Sequence, residues 1–294
     1  MKIVPGPASE QLGEKIAELA RLEIVRVAHK TFPDGESYVR LKTSVMDEHV
    51  VIIQTTSAPQ DSRLMQLAFL ASASKKNGAS RVTAVVPYLG YARQDKMFLE
   101  GEGASVETVA CMLGAAGIDD LITINIHAEN ALKKFPFPAK TLSAIPLIAE
   151  YFVEKGYEEA FALAPDKGAM YIAEQAQRVL GGGAGHLEKK RDTYTGRTTQ
   201  TGQNLDVQGQ TVIIFDDIIS TGGTIVGAAK ILHDLGAGRI FAACVHPVLV
   251  GDAKKRIIEA GVREIVGTDS VPNQTSKVSL APLIAKALKA PKSG

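Results

Sequence analysis

Short apolar runs recur along this chain, and most are followed by a polar turn and a stretch with helical spacing. Val51–Ile53, Thr83–Pro87, Leu121–His127, Phe161–Ala164, Val212–Phe215 and Phe241–Pro247 are too short for helices and read as buried strands. Ile225–Leu235 and Ala281–Leu288 carry the spacing of helices, the second able to pack on either half of the chain. Strands alternating with helices predict α/β architecture, with mainly parallel sheets flanked by helices.

The pattern repeats. Val51-Ile-Ile-Gln opens a segment that runs through a helix to Asn77-Gly78-Ala79-Ser80-Arg81 and a new strand. Val212-Ile-Ile-Phe opens another, running to Leu235-Gly236-Ala237-Gly238-Arg239 and again a strand. Gly78 and Gly236 are the expected helix ends. Two similar domains follow, 1–143 and 144–294. Only the strand-to-helix loops differ much: Gln54-Thr-Thr-Ser-Ala-Pro-Gln in the first copy, Asp216-Asp217-Ile-Ile-Ser220-Thr221-Gly222-Gly223-Thr224 in the second.

The second loop has the chemistry of a sugar-phosphate site. Glycines let backbone N–H groups approach a phosphate, the hydroxyls of Ser220, Thr221 and Thr224 add donors, and a helix N-terminus favours negative charge. Asp216 and Asp217 are too close to that anion to bind it and suit the vicinal hydroxyls of a sugar. An isolated Asp pair or glycine turn would read as a solvated turn; the combination at a strand-to-helix junction favours a phosphate.

Thirty-three basic and 32 acidic residues leave a net charge of +1, which argues against a dedicated nucleic-acid or acidic-membrane surface. No apolar run approaches the roughly 18 residues of a membrane span, and no charged-then-apolar leader opens the chain. Cys111 and Cys244 lack metal-ligand spacing and read as core residues of a reducing, cytoplasmic protein.

Five further segments carry polar groups in turns, at strand ends or between glycines. In Tyr91-Ala-Arg93-Gln94-Asp95-Lys96, Arg93 and Lys96 can meet a polyphosphate while Gln94 offers an amide to a base or sugar. Phe32-Pro33-Asp34-Gly35-Glu36 is a turn by chemistry, and its Phe and acids suit an adenine, by stacking and by accepting from the amine. His127 ends one strand and Asp166 lies in the turn that ends another; a carboxylate together with substrate phosphates is a workable Mg²⁺ site. Lys189 and Arg191 lie in a cationic, glycine-bounded stretch that reads as a lid or as a solvated loop.

Taken in order, these motifs resemble those of ribose-phosphate pyrophosphokinases, the phosphoribosyl pyrophosphate (PRPP) synthetases, in their archaeal and bacterial branch. The Asp216–Thr224 run alone is similar to the PRPP motif of type I phosphoribosyltransferases as well, so on fold grounds the protein could make or consume PRPP. Pro87-Tyr-x-x-Tyr-Ala-Arg-Gln-Asp-Lys and Phe32–Glu36 resemble synthetase signatures. The resemblance implies two type I phosphoribosyltransferase-like domains and diphosphoryl transfer from ATP to ribose 5-phosphate, giving PRPP and AMP for nucleotide biosynthesis. It implies an ATP site of Phe32, Asp34, Glu36, Arg93, Gln94, Asp95 and His127, and a ribose 5-phosphate site of Asp216, Asp217, Ser220, Thr221, Gly222, Gly223 and Thr224. Lys189 and Arg191 are the implied catalytic residues, Mg²⁺ the cofactor with His127 and Asp166 near it, and a homo-oligomer, at least a dimer, shares the site between subunits. Asn125 stands where many members have Asp, and Lys167 where many have Ala. A PRPP-consuming phosphoribosyltransferase and a non-catalytic regulator are the alternatives. Lys189, Arg191, Asp216 and Asp217 are the groups a regulator would be expected to lose.

Overall fold

A computed structural model describes residues 1–191, 198–201 and 205–290, without the side chains of 189–191 and 198–201. The chain forms two compact units, Met1–Leu142 joined by the segment from Ser279 on, and Ser143–Val278.

The first unit contains β1 (Lys2–Pro5), α1 (Glu10–Ala20), β2 (Glu23–Ile24), the hairpin β3 (Val27–Thr31) and β4 (Ser37–Leu41), β5 (His49–Ile53), α2 (Gln60–Lys76), β6 (Arg81–Val86), α3 (Ser105–Ala115), β7 (Asp120–Ile124) and β8 (Ala139–Leu142). The second contains α4 (Ile145–Glu154), β9 (Phe161–Ala164), α5 (Met170–Leu180), β10 (Ala184–His186), the hairpin β11 (Glu188–Arg191) and β12 (Thr198–Thr201), β13 (Thr211–Ile219), α6 (Gly223–Asp234), β14 (Arg239–Pro247), α7 (Ala253–Glu259), β15 (Ile265–Thr268) and β16 (Ser276–Val278). The last helix, α8 (Ala281–Lys289), returns to the first unit.

Each unit is built on a six-stranded sheet, ordered β2-β1-β5-β6-β7-β8 in one and β10-β9-β13-β14-β15-β16 in the other. The paired strands of both sheets run parallel. The two orders are the same permutation, and each unit inserts its antiparallel hairpin between the second and third of its own sheet strands in chain order. Duplication is therefore complete at the level of topology. Val50–Ile53 of β5 and Val212–Phe215 of β13 are wholly buried, as strands covered on both faces by helices must be.

The repeated glycines end their helices identically. Gly78 and Gly236 take left-handed φ of 87° and 76° one position beyond the cap residues Asn77 and Leu235. Ala79 N–H donates to Ser74 O and Gly78 N–H to Lys75 O; Ala237 donates to Leu232 O and Gly236 to His233 O. Both are Schellman closures, which use up carbonyls the helix itself cannot satisfy.

Two expectations need correction. Residues 144–294 do not form one unit, because α8 buries Ala281, Ile284 and Ala285 in the first unit, against α1, and Lys289 Nζ donates to Leu19 O. Cys111 is exposed on α3, whereas Cys244 is buried in β14 as expected.

Candidate functional site

The Asp pair lies inside β13 rather than at its end, since the strand continues to Ile219. Phe215 packs edge-on against Phe152 of α4, with centroids 6.3 Å apart, which anchors one face of the strand. Strand alternation turns Asp216 to the opposite face, where it pairs in register with Cys244. Asp217 is buried and turns to the Phe215 face. The two carboxylates engage the backbone beside them: Asp217 N–H donates to Asp216 Oδ1 (2.9 Å) and Ile218 N–H to Asp217 Oδ1 (2.8 Å).

Burial pushes the Asp216 carboxyl well above the usual carboxylate range, and the charge of Asp217 pushes it further, with a smaller push from Asp166. Asp166 follows β9, the neighbour of β13, and caps a short turn by accepting from Ala169 N–H at 3.2 Å. Two acids inside β13 and one in the turn after β9 thus lie close enough for their charges to be felt at Asp216. Among the described residues no group of three or more His, Cys, Asp and Glu forms a ready-made metal cage. A divalent metal that keeps waters and takes one or two carboxylates plus substrate oxygens needs no such cage. Burial, and then the charges of Asp216 and Asp217, push the Cys244 thiol up, which disfavours the thiolate.

The phosphate loop follows directly. Gly222 is the N-cap of α6 with φ 78°, and the first helical bond runs from Val226 N–H to Gly222 O. The N–H groups of Gly223, Thr224 and Ile225 therefore precede the helix's own ladder, the arrangement that suits an anion. Beyond Gly223 the space a side chain would occupy is open. The loop is held from behind by the segment after β14, where Leu249 N–H donates to Ile219 O (2.9 Å) and Val250 N–H to Ser220 O (3.0 Å). Sequence reasoning missed this support, because nothing in the local pattern of residues 248–250 announces it.

In the first unit, Arg93, Gln94 and Asp95 follow β6 and His127 follows β7, its neighbour in the sheet. Arg93 and His127 are exposed, and Gln94 and Asp95 half-buried. Ser105 Oγ donates to Gln94 Oε1 at 2.7 Å, which leaves the Gln94 amide NH₂ to face a ligand. The loop is tied to the end of β5, where Gly90 N–H donates to Thr56 Oγ1 and Thr56 N–H to Tyr88 O. β7 does not run to the His: it stops at Ile124, and the buried Asn125 adopts φ 35°, a left-handed turn that Asn tolerates.

Phe32–Glu36 closes the hairpin β3–β4. Gly35 N–H donates to Phe32 O, Phe32 N–H to Glu36 O, and Glu36 N–H to Asp34 Oδ1 at 3.2 Å. Gly35 has φ 94°, which accounts for the glycine, and Asp34 proves to have a local turn-forming bond. Lys189 and Arg191 lie in β11, opposite Gln200 and Thr198; their side chains are outside the described residues. His127 and Asp166 belong to different units.

Fold and site define an α/β enzyme that handles sugar phosphates. Family models match the chain over residues 1–117, as the N-terminal domain of ribose phosphate pyrophosphokinase, and over 201–286, as the phosphoribosyl synthetase-associated domain. The ribose-phosphate pyrophosphokinase of Methanothermobacter thermautotrophicus is 43% identical over 98% of this chain and 99% of its own length. The Saccharolobus solfataricus enzyme of the same name is 38% identical over 92% of this chain and 93% of its own. The crystal structure of phosphoribosylpyrophosphate synthetase from Mycobacterium smegmatis matches with a TM-score of 0.87 and 30% identity, covering 98% of this chain and 97% of the other. The chain belongs to the ribose-phosphate pyrophosphokinase family. It is a transferase that forms PRPP; the family works on ATP and ribose 5-phosphate and requires a divalent metal. No helix among the described residues is long and apolar enough to cross a membrane.

Proposed function

We propose that this enzyme transfers the β,γ-diphosphoryl group of ATP, with Mg²⁺, to the anomeric hydroxyl of ribose 5-phosphate, and that the residues above divide the work. The observation that carries the assignment is the β13–α6 junction: a strand with two adjacent acids in its second half, followed after Ser220 and Thr221 by a glycine N-cap. Ser220, Thr221, Gly222, Gly223 and Thr224 hold the 5-phosphate, and Asp216 and Asp217 the ribose hydroxyls. Phe32, Asp34 and Glu36 hold the adenine, while Arg93, Gln94, Asp95 and His127 hold the rest of ATP.

His127 would hold Mg²⁺ carried by ATP, and Asp166 would hold Mg²⁺ on the sugar side together with the Asp pair of its own unit; the metal would supply neutralisation of charge on the transferring phosphates. The chain's own contribution is placement. The sugar's anomeric oxygen attacks the β-phosphorus, the bond from that phosphorus to the α,β-bridging oxygen breaks, AMP leaves, and the hydroxyl proton is released. Such a transfer asks for in-line positioning and stabilisation of developing charge more than for a general base. Lys189 and Arg191 supply that charge from the β11–β12 hairpin.

The reading extends to assembly: the enzyme acts in the cytoplasm as a homo-oligomer, at least a dimer, in which the Phe32 turn of one subunit completes a neighbour's site. The decisive test is phosphorus NMR of purified protein with ATP, Mg²⁺ and ribose 5-phosphate. AMP and PRPP are expected. ADP and ribose bisphosphate would refute attack at the β-phosphorus, and release of pyrophosphate from PRPP only with a nucleobase would indicate a phosphoribosyltransferase.

A further inference from the structure

The hairpin β3–β4 has two unlike faces. Val27 pairs with Leu41 and His29 with Val39, and Val27, Val39 and Leu41 pack on the core of the first unit. Alternation sends Lys30 and its cross-strand partner Tyr38 to the other face. Phe32, two residues beyond Lys30, joins them there. Lys30 Nζ lies 4.2 Å from the centroid of the Phe32 ring and 5.5 Å from that of Tyr38. The two rings form a T-shaped pair, 6.1 Å apart at 75°. Because one ammonium reaches both rings, Lys30 and Tyr38 crowd the same side of Phe32.

We infer that Lys30 is a positioning residue for the nucleotide: it covers one face of Phe32, with Tyr38 fixing the ring plane, so that a purine base stacks on the opposite face only. This rests on the proposal that Phe32 receives the adenine. The arrangement needs a cation and two aromatics in one register. Phe32 and Tyr38 keep more than a third of their surface exposed, at 36% and 38%, so the platform is accessible although its back is occupied. A cation on the π face is attractive in itself, which holds the ring against rotation.

The test compares single and double variants by steady-state kinetics. Lys30→Ala is expected to raise KM for ATP about two- to five-fold, the scale of an exposed cation–π contact, with kcat and KM for ribose 5-phosphate unchanged. Lys30→Arg should restore the wild-type KM, since guanidinium also stacks on aromatic faces. In a Phe32→Leu background, Lys30→Ala should add nothing, because its effect passes through the ring. A full further increase there would mean that Lys30 touches ATP directly and would overturn the inference. If Phe32→Leu raises KM for ATP while Lys30→Ala does not, the role of Lys30 alone falls. If Phe32→Leu leaves KM unchanged, the base-stacking assignment falls, and Lys30's role with it.

Discussion

The Cβ that Gly222 lacks would stand 2.8 Å from Cδ1 of Ile257, a wholly buried side chain of α7. The phosphate loop is therefore seated on the core of its unit, and its glycine serves packing as well as the left-handed φ of 78°. Gly222→Ala should lower stability by about 2–4 kcal/mol, combining left-handed strain with overpacking. It should also weaken ribose 5-phosphate binding in calorimetry. Gly223→Ala, whose methyl would enter open space, should change stability by no more than about 0.5 kcal/mol. Equal melting temperatures for the two variants would remove the packing argument.

Asp216 is held in a form that folding disfavours when charged. Its carboxyl is raised above the unfolded value, so the folded state binds the proton more tightly than the unfolded chain does. Its contribution to stability is complete below the unfolded carboxylate range and is lost as pH rises through the raised value. Without metal, Asp216→Asn should therefore melt above the wild type at neutral and alkaline pH, with the gap closing toward acid. The same variant, and Asp217→Asn, should bind ribose 5-phosphate roughly ten- to hundred-fold more weakly in the presence of Mg²⁺, the scale of a lost charge-assisted hydrogen bond. A wild type that melts higher than Asp216→Asn across the whole pH range would contradict this account.

Lys189→Ala and Arg191→Ala separate chemistry from binding. If these cations act on charge that develops during transfer, kcat falls far more than either KM rises. Matching changes in both parameters, or no change, would return the β11–β12 hairpin to the role of a solvated connection.

Sharing of the site between subunits is open to a mixing experiment. Asp34→Ala should be inactive through the base turn and Lys189→Ala through the hairpin that carries it. Once their subunits exchange, some sites combine a wild-type turn with a wild-type lid, and part of the activity returns. Exchange confirmed by mass spectrometry of labelled subunits, without recovery, would confine each site to one chain.

Much of this was legible because the informative residues act locally. Gly78 and Gly236 announced helix ends from backbone geometry alone, and the Asp216–Thr224 run carried its own strand, turn and helix start. What depended on distant partners was misjudged. The apolar stripe of α8 is equally suitable for either unit, and only its contacts with α1 decide. β7 looked continuous to His127, yet Asn125 breaks it in a left-handed turn. The Phe32 segment read as a turn, but the register that brings Lys30 against Tyr38 exists only once both strands of the hairpin are paired.

The two hairpins leave their sheets at the same place in the chain's repeated plan, one carrying the Phe32 turn and the other Lys189 and Arg191. Under the proposed assignment, an ancestral arm was inherited twice and its copies parted ways, one becoming a reader of the base and the other an instrument of transfer. On that assignment, substrate choice and turnover reside in separate arms. A lineage can retune which nucleotide it accepts by altering β3–β4 while the transferring arm is left as it was.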